Sequence, residues 1–273
     1  MKIFNCHTHT SFSHDGNATI KELCENAIRN GLSGFAVTDH CDCEYADDKE
    51  MLRNLELSYK AAEDCKKIYE DKILISRGIE IGEAIFNPDF AKNIIASRDY
   101  DVILGSVHAV RMKDYEMPFS VIDFSEASDE FIEMYVTQYF DDLLETAKDT
   151  DYDILCHLTV VLRYIVYKYK RIVNIDRHYP VISEILKAVI KRGKTLEVNT
   201  SGYTDGYFMP DEDILRLYKS LGGTKIALGS DAHMPEKITS GLREGARLLK
   251  KIGFSELTCY ENRRPVAIKI EKP

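Results

Sequence analysis

Seven short apolar runs separated by longer amphipathic stretches predict an α/β protein with a parallel sheet, either doubly wound or closed into a barrel. Three observations carry this. The runs are rich in Ile, Val and Leu and short enough to be parallel strands buried on both faces. The stretches between them repeat apolar residues at helical spacing, so strand and helix alternate along the chain. A length of 273 residues suits one large domain or two ordinary ones. With no Ser/Gly-rich linker or low-complexity tract, the reading is a single domain over 1–273.

The predicted strands are Lys2–Cys6, Gly34–Thr38, Ile73–Ile79, Val102–Val107, Asp153–Cys156, Thr195–Val198 and Lys225–Leu228. The predicted helices are Ile20–Asn30, Asn54–Tyr69, Glu126–Lys148, Pro180–Arg192, Asp211–Leu221 and Glu236–Lys251. Asn30-Gly31 and Arg192-Gly193 read as helix stops, since Gly takes the left-handed conformation at little cost. No GxGxxG follows the first strand and GxxxxGK[ST] is absent, which weighs against nucleotide-binding folds. In a barrel, chemistry sits at the C-terminal ends of the strands, so the residues after each run matter most.

Composition narrows the class. A hydrophobic fraction of 44% and a charged fraction of 30% exclude wholesale disorder. With 36 Lys+Arg against 45 Asp+Glu the formal charge is −9, a poor surface for gripping nucleic acid or an anionic membrane. The seven cysteines form no CxxC pair, although Cys41 and Cys43 would share one side of a strand; they read as reduced thiols of a cytosolic protein. The N-terminus lacks the apolar segment of a signal peptide, and no stretch approaches the ~18 apolar residues of a membrane span. A cytoplasmic enzyme is the expectation.

The strand ends are unusual. The first run leads into His7-Thr8-His9, whose side chains, two apart on a strand, can meet one metal ion. Asp15-Gly16 follows on a turn, with His14 beside it. The second run gives Thr38-Asp39-His40, the third ends on Glu80, the fourth leads to His108 and the fifth to His157. The last is followed by Asp231-Ala232-His233. Six of the eight histidines thus fall at the ends of five apolar runs. A core has no use for imidazoles at so many strand exits, because each must be hydrogen-bonded or bear its desolvation cost. Several divalent metals at one barrel mouth account for all of them, and mixed His/carboxylate ligation suits Zn, Mn or Fe.

In order, HxHT, TDH, a lone Glu, GSVH, a further His and SDAH resemble the motifs of the PHP (polymerase and histidinol phosphatase) superfamily, from His7 to His233. The resemblance implies a distorted (β/α)7 barrel with two or three divalent metals at the C-terminal ends of its strands. It places His7, His9, Glu80 and Asp231 in a first metal site, and Glu80 as a bridge with His108 and His157 in a second. Asp15, His40 and His233 would form a third, with His14 the alternative to Asp15. The stand-alone length and the segments TDHCD, GSVH, CHLTVVLRY and NTSG resemble the monofunctional histidinol-phosphate phosphatases of histidine biosynthesis.

That resemblance implies phosphate monoester hydrolysis, a very slow reaction needing a strong nucleophile and charge neutralisation. Metals bridged by Glu80 would share a hydroxide that attacks phosphorus in line. Arg163, shortly after His157, is expected to make a bidentate phosphate contact. Asp42, Glu83 and Glu116 are candidates, by loop position, for the ammonium and imidazole of histidinol phosphate. Metal stabilisation, His178 and Asp205 stand as alternatives for the general acid. The run Tyr164–Tyr169 reads as apolar packing with snorkelling lysines.

Three rivals share parts of this pattern. One is a PHP phosphoesterase for nucleoside bisphosphates or short oligonucleotides; one is a non-catalytic metal-binding PHP module; one is an amidohydrolase, whose bridging carboxylated Lys has Glu80 in its place. The charge of −9 does not oppose a small phosphate ester, because it counts Asp15, Glu80 and Asp231. Three divalent ions would bring the total to −3, with the added positive charge focused in the mouth.

Overall fold

The computed structural model describes residues 2–113 and 116–270, apart from the side chain of Glu116. In chain order the strands are β1 (Phe4–Asn5), β2 (Gly34–Val37), β3 (His40–Asp42), β4 (Leu74–Gly82), β5 (Val102–Ser106) and β6 (Ala109–Arg111). Then come β7 (Glu116–Pro118), β8 (Ile154–Leu155), β9 (Thr195–Asn199), β10 (Ile226–Gly229), β11 (Glu256–Glu261) and β12 (Arg264–Lys269). The helices are α1 (Ile20–Arg29), α2 (Lys49–Ile68), α3 (Pro88–Ala96), α4 (Asp129–Asp149) and α5 (Val160–Leu162). They continue as α6 (Tyr179–Lys191), α7 (Glu212–Ser220) and α8 (Leu242–Ile252).

Seven strands pair in the order β1-β2-β4-β5-β8-β9-β10, every pair parallel. Just past β1 and β10 the edges meet: Cys6 N donates to Leu228 O, Asp231 N to His7 O and His9 N to Ala232 O, at 2.8–2.9 Å. The result is a nearly closed parallel barrel of seven strands, matching the predicted runs one for one. β3 adds to the outer end of β4, with His40 opposite Glu80.

Alternation along the strands explains the packing. Ile79 and Ile81 of β4, Ile103 of β5, Leu155 of β8, and Leu196 and Val198 of β9 face the helices and join the main core. Val102, Leu104, Ile154 and Ala227 point inward, in a cluster closed by Cys259 and Tyr260 of β11. The β11–β12 hairpin thereby plugs the N-terminal end of the barrel, where the Tyr260 hydroxyl meets Thr195 Oγ1 at 2.8 Å and donates to Asp153 O at 3.1 Å. Sealing one end leaves the other for the ligand, as in barrels generally.

Helix boundaries follow local chemistry. α1 starts in a capping box, Thr19 and Glu22 each accepting from the other's backbone N–H. α2 begins earlier than predicted because Asp48 caps it, accepting from the N–H groups of Glu50 and Met51. The predicted helix from Glu236 starts only at Leu242, since Gly241 adopts φ 67° after a single tight turn over Pro235–Lys237. The seven cysteines are free thiols. Among the described residues no helix is long and apolar enough to cross a membrane.

Candidate metal centre

Six imidazoles and three carboxylates converge at the open end of the barrel. Nε2 of His7 and Nε2 of His9 are 3.0 Å apart. Oε2 of Glu80 lies 3.3 and 3.4 Å from them, and Oδ1 of Asp231 lies 3.7 and 3.3 Å away. The other oxygen of Glu80, Oε1, faces Nε2 of His157 at 2.9 Å and Nε2 of His108 at 3.2 Å. Those two rings approach each other to 3.4 Å between Nε2 atoms. On the third side, Asp15 Oδ2 meets His233 Nε2 at 3.1 Å, and Asp15 Oδ1 meets His40 Nε2 at 3.7 Å. His40 also presents Nδ1 to Glu80 Oε2 at 3.0 Å.

The second nitrogens are mostly occupied, which orients the first. His7 Nδ1 pairs with Glu197 at 2.8 Å, His9 Nδ1 with Ser13 at 3.2 Å, His108 Nδ1 with Asp42 at 3.0 Å, and His233 Nδ1 with the Asp231 carbonyl at 3.0 Å. Such outer partners are how proteins aim imidazoles at a metal. Gly82 makes room for one of them, because a Cβ there would run into the Asp42 carboxylate. His157 and Asp231 hold positive φ, 21° and 51°, a conformation non-glycine residues adopt at functional positions when the surroundings enforce it.

Charge within the cluster is finely set. Burial alone would protonate Glu80, but His7, His108 and His40 outweigh it and hold the carboxyl well below its usual range. Asp231 is buried too, and His7, His9 and His233 hold it ionised in the same way. His9 is pushed well down by burial and by His40 and His233, so it stays neutral. Burial works to lower His233, yet Asp15 and Asp231 raise it to about 9. The residues fit divalent metal: Glu80 Oε2, His40 Nδ1 and His233 Nε2 are buried and lie 3.0–3.1 Å from neighbouring atoms of the cluster without a well-aligned hydrogen bond, a costly state that a cation among them relieves.

The sequence-predicted residues fall into three groups. His7, His9, Asp15, His40, Glu80, His108, His157, Asp231 and His233 are brought together as described. Arg163 lines the cleft above them, its Nη2 donating to Ser201 Oγ and lying 3.4 Å from Asp231 Oδ2. His14 stands at the rim with its side chain 71% exposed, 3.9 Å from Asp15. Asp42 lines the same cleft, although its carboxylate is engaged with His108.

Others are placed elsewhere. Glu83 is fully buried and turned inward by φ 50°, accepting from the N–H groups of His108 and Ala109. Its role is to hold the His108 loop, and it does not line the cleft. The Glu116 side chain lies outside the described residues. Neither acid candidate reaches the cleft: His178 is buried against Phe140, and Asp205 is exposed on a surface turn. In the run Tyr164–Tyr169, Lys168 lies over the Tyr169 ring at 4.9 Å and Tyr167 stacks on Tyr207 at 3.5 Å, so those aromatics pack.

Sequence reading missed Glu197, Asn199, Ser201 and Glu44. The first three lie two apart along β9 and beyond, with Leu196 and Val198 on the alternate positions of the strand, a period-two polar stripe that marks the barrel interior. Glu44 joins Asp42 in the cleft wall, two residues along.

A PHP domain model matches residues 5–201. Histidinol-phosphatase of Lactococcus lactis subsp. lactis is 29% identical over 266 residues, covering 95% of each chain. Probable histidinol-phosphatase of Thermotoga maritima is 28% identical, over 98% of this chain and 100% of that one. In three dimensions the chain resembles histidinol phosphate phosphatase from Lactococcus lactis, solved with zinc, L-histidinol and phosphate. The TM-score is 0.78 at 25% identity, covering 97% of this chain and 99% of that chain. The domain match begins in the first strand and stops at Ser201, and Asp231 and His233 from beyond it complete the same ring of donors: this chain belongs to the PHP family.

Proposed function

We propose that this chain is a metal-dependent phosphoric monoester hydrolase that splits L-histidinol phosphate into L-histidinol and phosphate in the cytoplasm. The observation that carries it is Glu80, whose two oxygens face separate imidazole groups in a mouth that also holds Arg163. Relatives along the whole chain are named for this reaction, and the similar Lactococcus structure holds zinc, L-histidinol and phosphate.

On this reading His7, His9, Glu80 and Asp231 hold one ion, Glu80, His108 and His157 a second, and Asp15, His40 and His233 a third, the ions being Zn, Mn or Fe. Divalent ions held there would supply positive charge for the phosphoryl oxygens and would activate water as the nucleophile. The rest is the work of the chain. Arg163, held by Ser201 and Asp231, offers its free N–H groups to the phosphoryl oxygens. Asp42 and Glu44 make the facing wall acidic, which suits a substrate bearing an ammonium and an imidazole.

The nucleotide reading fits less well. Arg163 is the one Lys or Arg among the described residues lining this cleft, and the adjoining groove adds Asp48 and Glu50 with no base. A polyanion would meet like charge along that path. Phosphate release from histidinol phosphate, a nucleoside bisphosphate and a short oligonucleotide separates the readings. The expected result is preference for histidinol phosphate. Faster turnover of either nucleotide would overturn the substrate, and no turnover of any would favour a non-catalytic module.

A further inference from the structure

Glu197 projects from the middle of β9 into the barrel, fully buried. Its neighbours are all donors. His7 Nδ1 lies 2.8 Å from Oε1, while Oε2 accepts from the His157 backbone N–H at 2.7 Å and from Asn199 Nδ2 at 3.3 Å. Asn199 Oδ1 in turn accepts from Ser201 Oγ at 2.5 Å, and Ser201 accepts from Arg163. One buried carboxylate therefore ties a histidine of the first group, a histidine of the second and the cleft arginine into one network. The fold reserves space for it: a Cβ on Gly229 would collide with the Glu197 carboxylate and with the Cβ of His7.

We propose that Glu197 is the positioning residue that aims the His7 ring and pins the His157 backbone for metal binding, which rests on the reading that both histidines are ligands. A carboxylate is the only side chain of this size whose two oxygens both accept. By accepting from His7 Nδ1–H it leaves the Nε2 lone pair directed at Glu80, Asp231 and His9. By accepting from the His157 N–H it holds that residue at φ 21°, a backbone it would not otherwise keep. A glutamine of the same shape cannot do both. With its oxygen toward His157, its NH2 faces Nδ1 of His7 and favours the tautomer whose Nε2 carries the proton and cannot ligate. Reversed, its NH2 confronts the His157 N–H.

The test is zinc competition against a chromophoric chelator for the wild type and E197Q, with long-range 1H–15N spectra of the zinc-loaded proteins. Zinc affinity is expected to fall about 10- to 100-fold in E197Q. The Nδ1-protonated pattern of His7 is expected to disappear, while that of His108, oriented by Asp42, stays. A purely structural role would not single out His7. Unchanged zinc affinity with an unchanged His7 pattern would overturn the assignment. Wild-type protein that takes up no zinc would overturn the metal-ligand reading itself and this inference with it. Should E197Q not fold, E197D keeps every ligand, the charge and both acceptor oxygens but draws them back from His7 and the His157 N–H; it is expected to weaken zinc in the same way, and wild-type affinity in E197D would overturn the role.

Discussion

Oε1 of Glu80 lies 2.9 Å from Nε2 of His157, while its other oxygen faces His7 and His9. One carboxylate thus serves two donor groups, and a side chain with a single acceptor oxygen cannot replace it. Glu80→Gln is expected to lower bound metal by at least one ion per chain and kcat by about 100-fold or more. Metal analysis and phosphate release check this, and a variant that keeps its full complement would remove Glu80 from the bridge.

Arg163 offers a planar guanidinium at the cleft, held by Ser201 and Asp231. Arg163→Ala is expected to raise KM for the phosphate ester by about 10- to 100-fold, the worth of one charge-assisted bidentate contact. Arg163→Lys keeps the charge but not the fork, so it should recover only part of the loss. Steady-state kinetics with unchanged KM would rule out the contact.

Asp15 and His14 adjoin in sequence but differ in reach. Asp15 touches both His233 and His40, whereas His14 meets only the edge of this group. Asp15→Ala is expected to lose one metal per chain, and His14→Ala none. Equal losses from both, measured by elemental analysis after gel filtration, would give the rim histidine a share in the site.

The metal-free cluster makes stability depend on pH in a definite direction. Burial opposes protonation of His233, but Asp15 and Asp231 raise its pKa to about 9, above the ~6.5 of an unfolded histidine. A raised folded pKa stabilises fully below the unfolded value and loses that stabilisation as pH climbs through the folded one. His7 and His108, also raised by their carboxylates against burial, act in the same sense. The Tm of chelator-stripped protein is therefore expected to fall from about pH 6.5 to about pH 9. Metal must displace those protons, so zinc affinity should rise over the same window. A stripped protein whose Tm climbs there would contradict the charge arrangement.

The barrel was legible because its strands are short runs rich in Ile, Val and Leu set between helical stretches, and the donors because imidazoles and carboxylates cluster where those runs end. Glu197 was not, since Leu-Glu-Val in a short strand looks like ordinary alternation until closure makes one face an interior. Glu83 misled for a different reason: loop position carries no depth, and its carboxylate lies buried behind the cleft wall, accepting from the His108 and Ala109 N–H groups. β3, β6 and β7 have three residues each, too few for a periodic signal. The β11–β12 hairpin escaped as well, although Asn262 and Arg263 at positive φ mark its turn. α3 has a clear start, with Asn87 accepting from Phe90 N and Pro88 at the first position, but spans only nine residues.

The most direct test of the whole account is phosphate release from L-histidinol phosphate by protein of measured metal content, before and after stripping with a chelator and after adding zinc, manganese or iron back. The expected result is at least two metals per chain, activity that vanishes on stripping and returns with metal. Fewer than two metals in fully active protein, or activity that survives their removal, would contradict it.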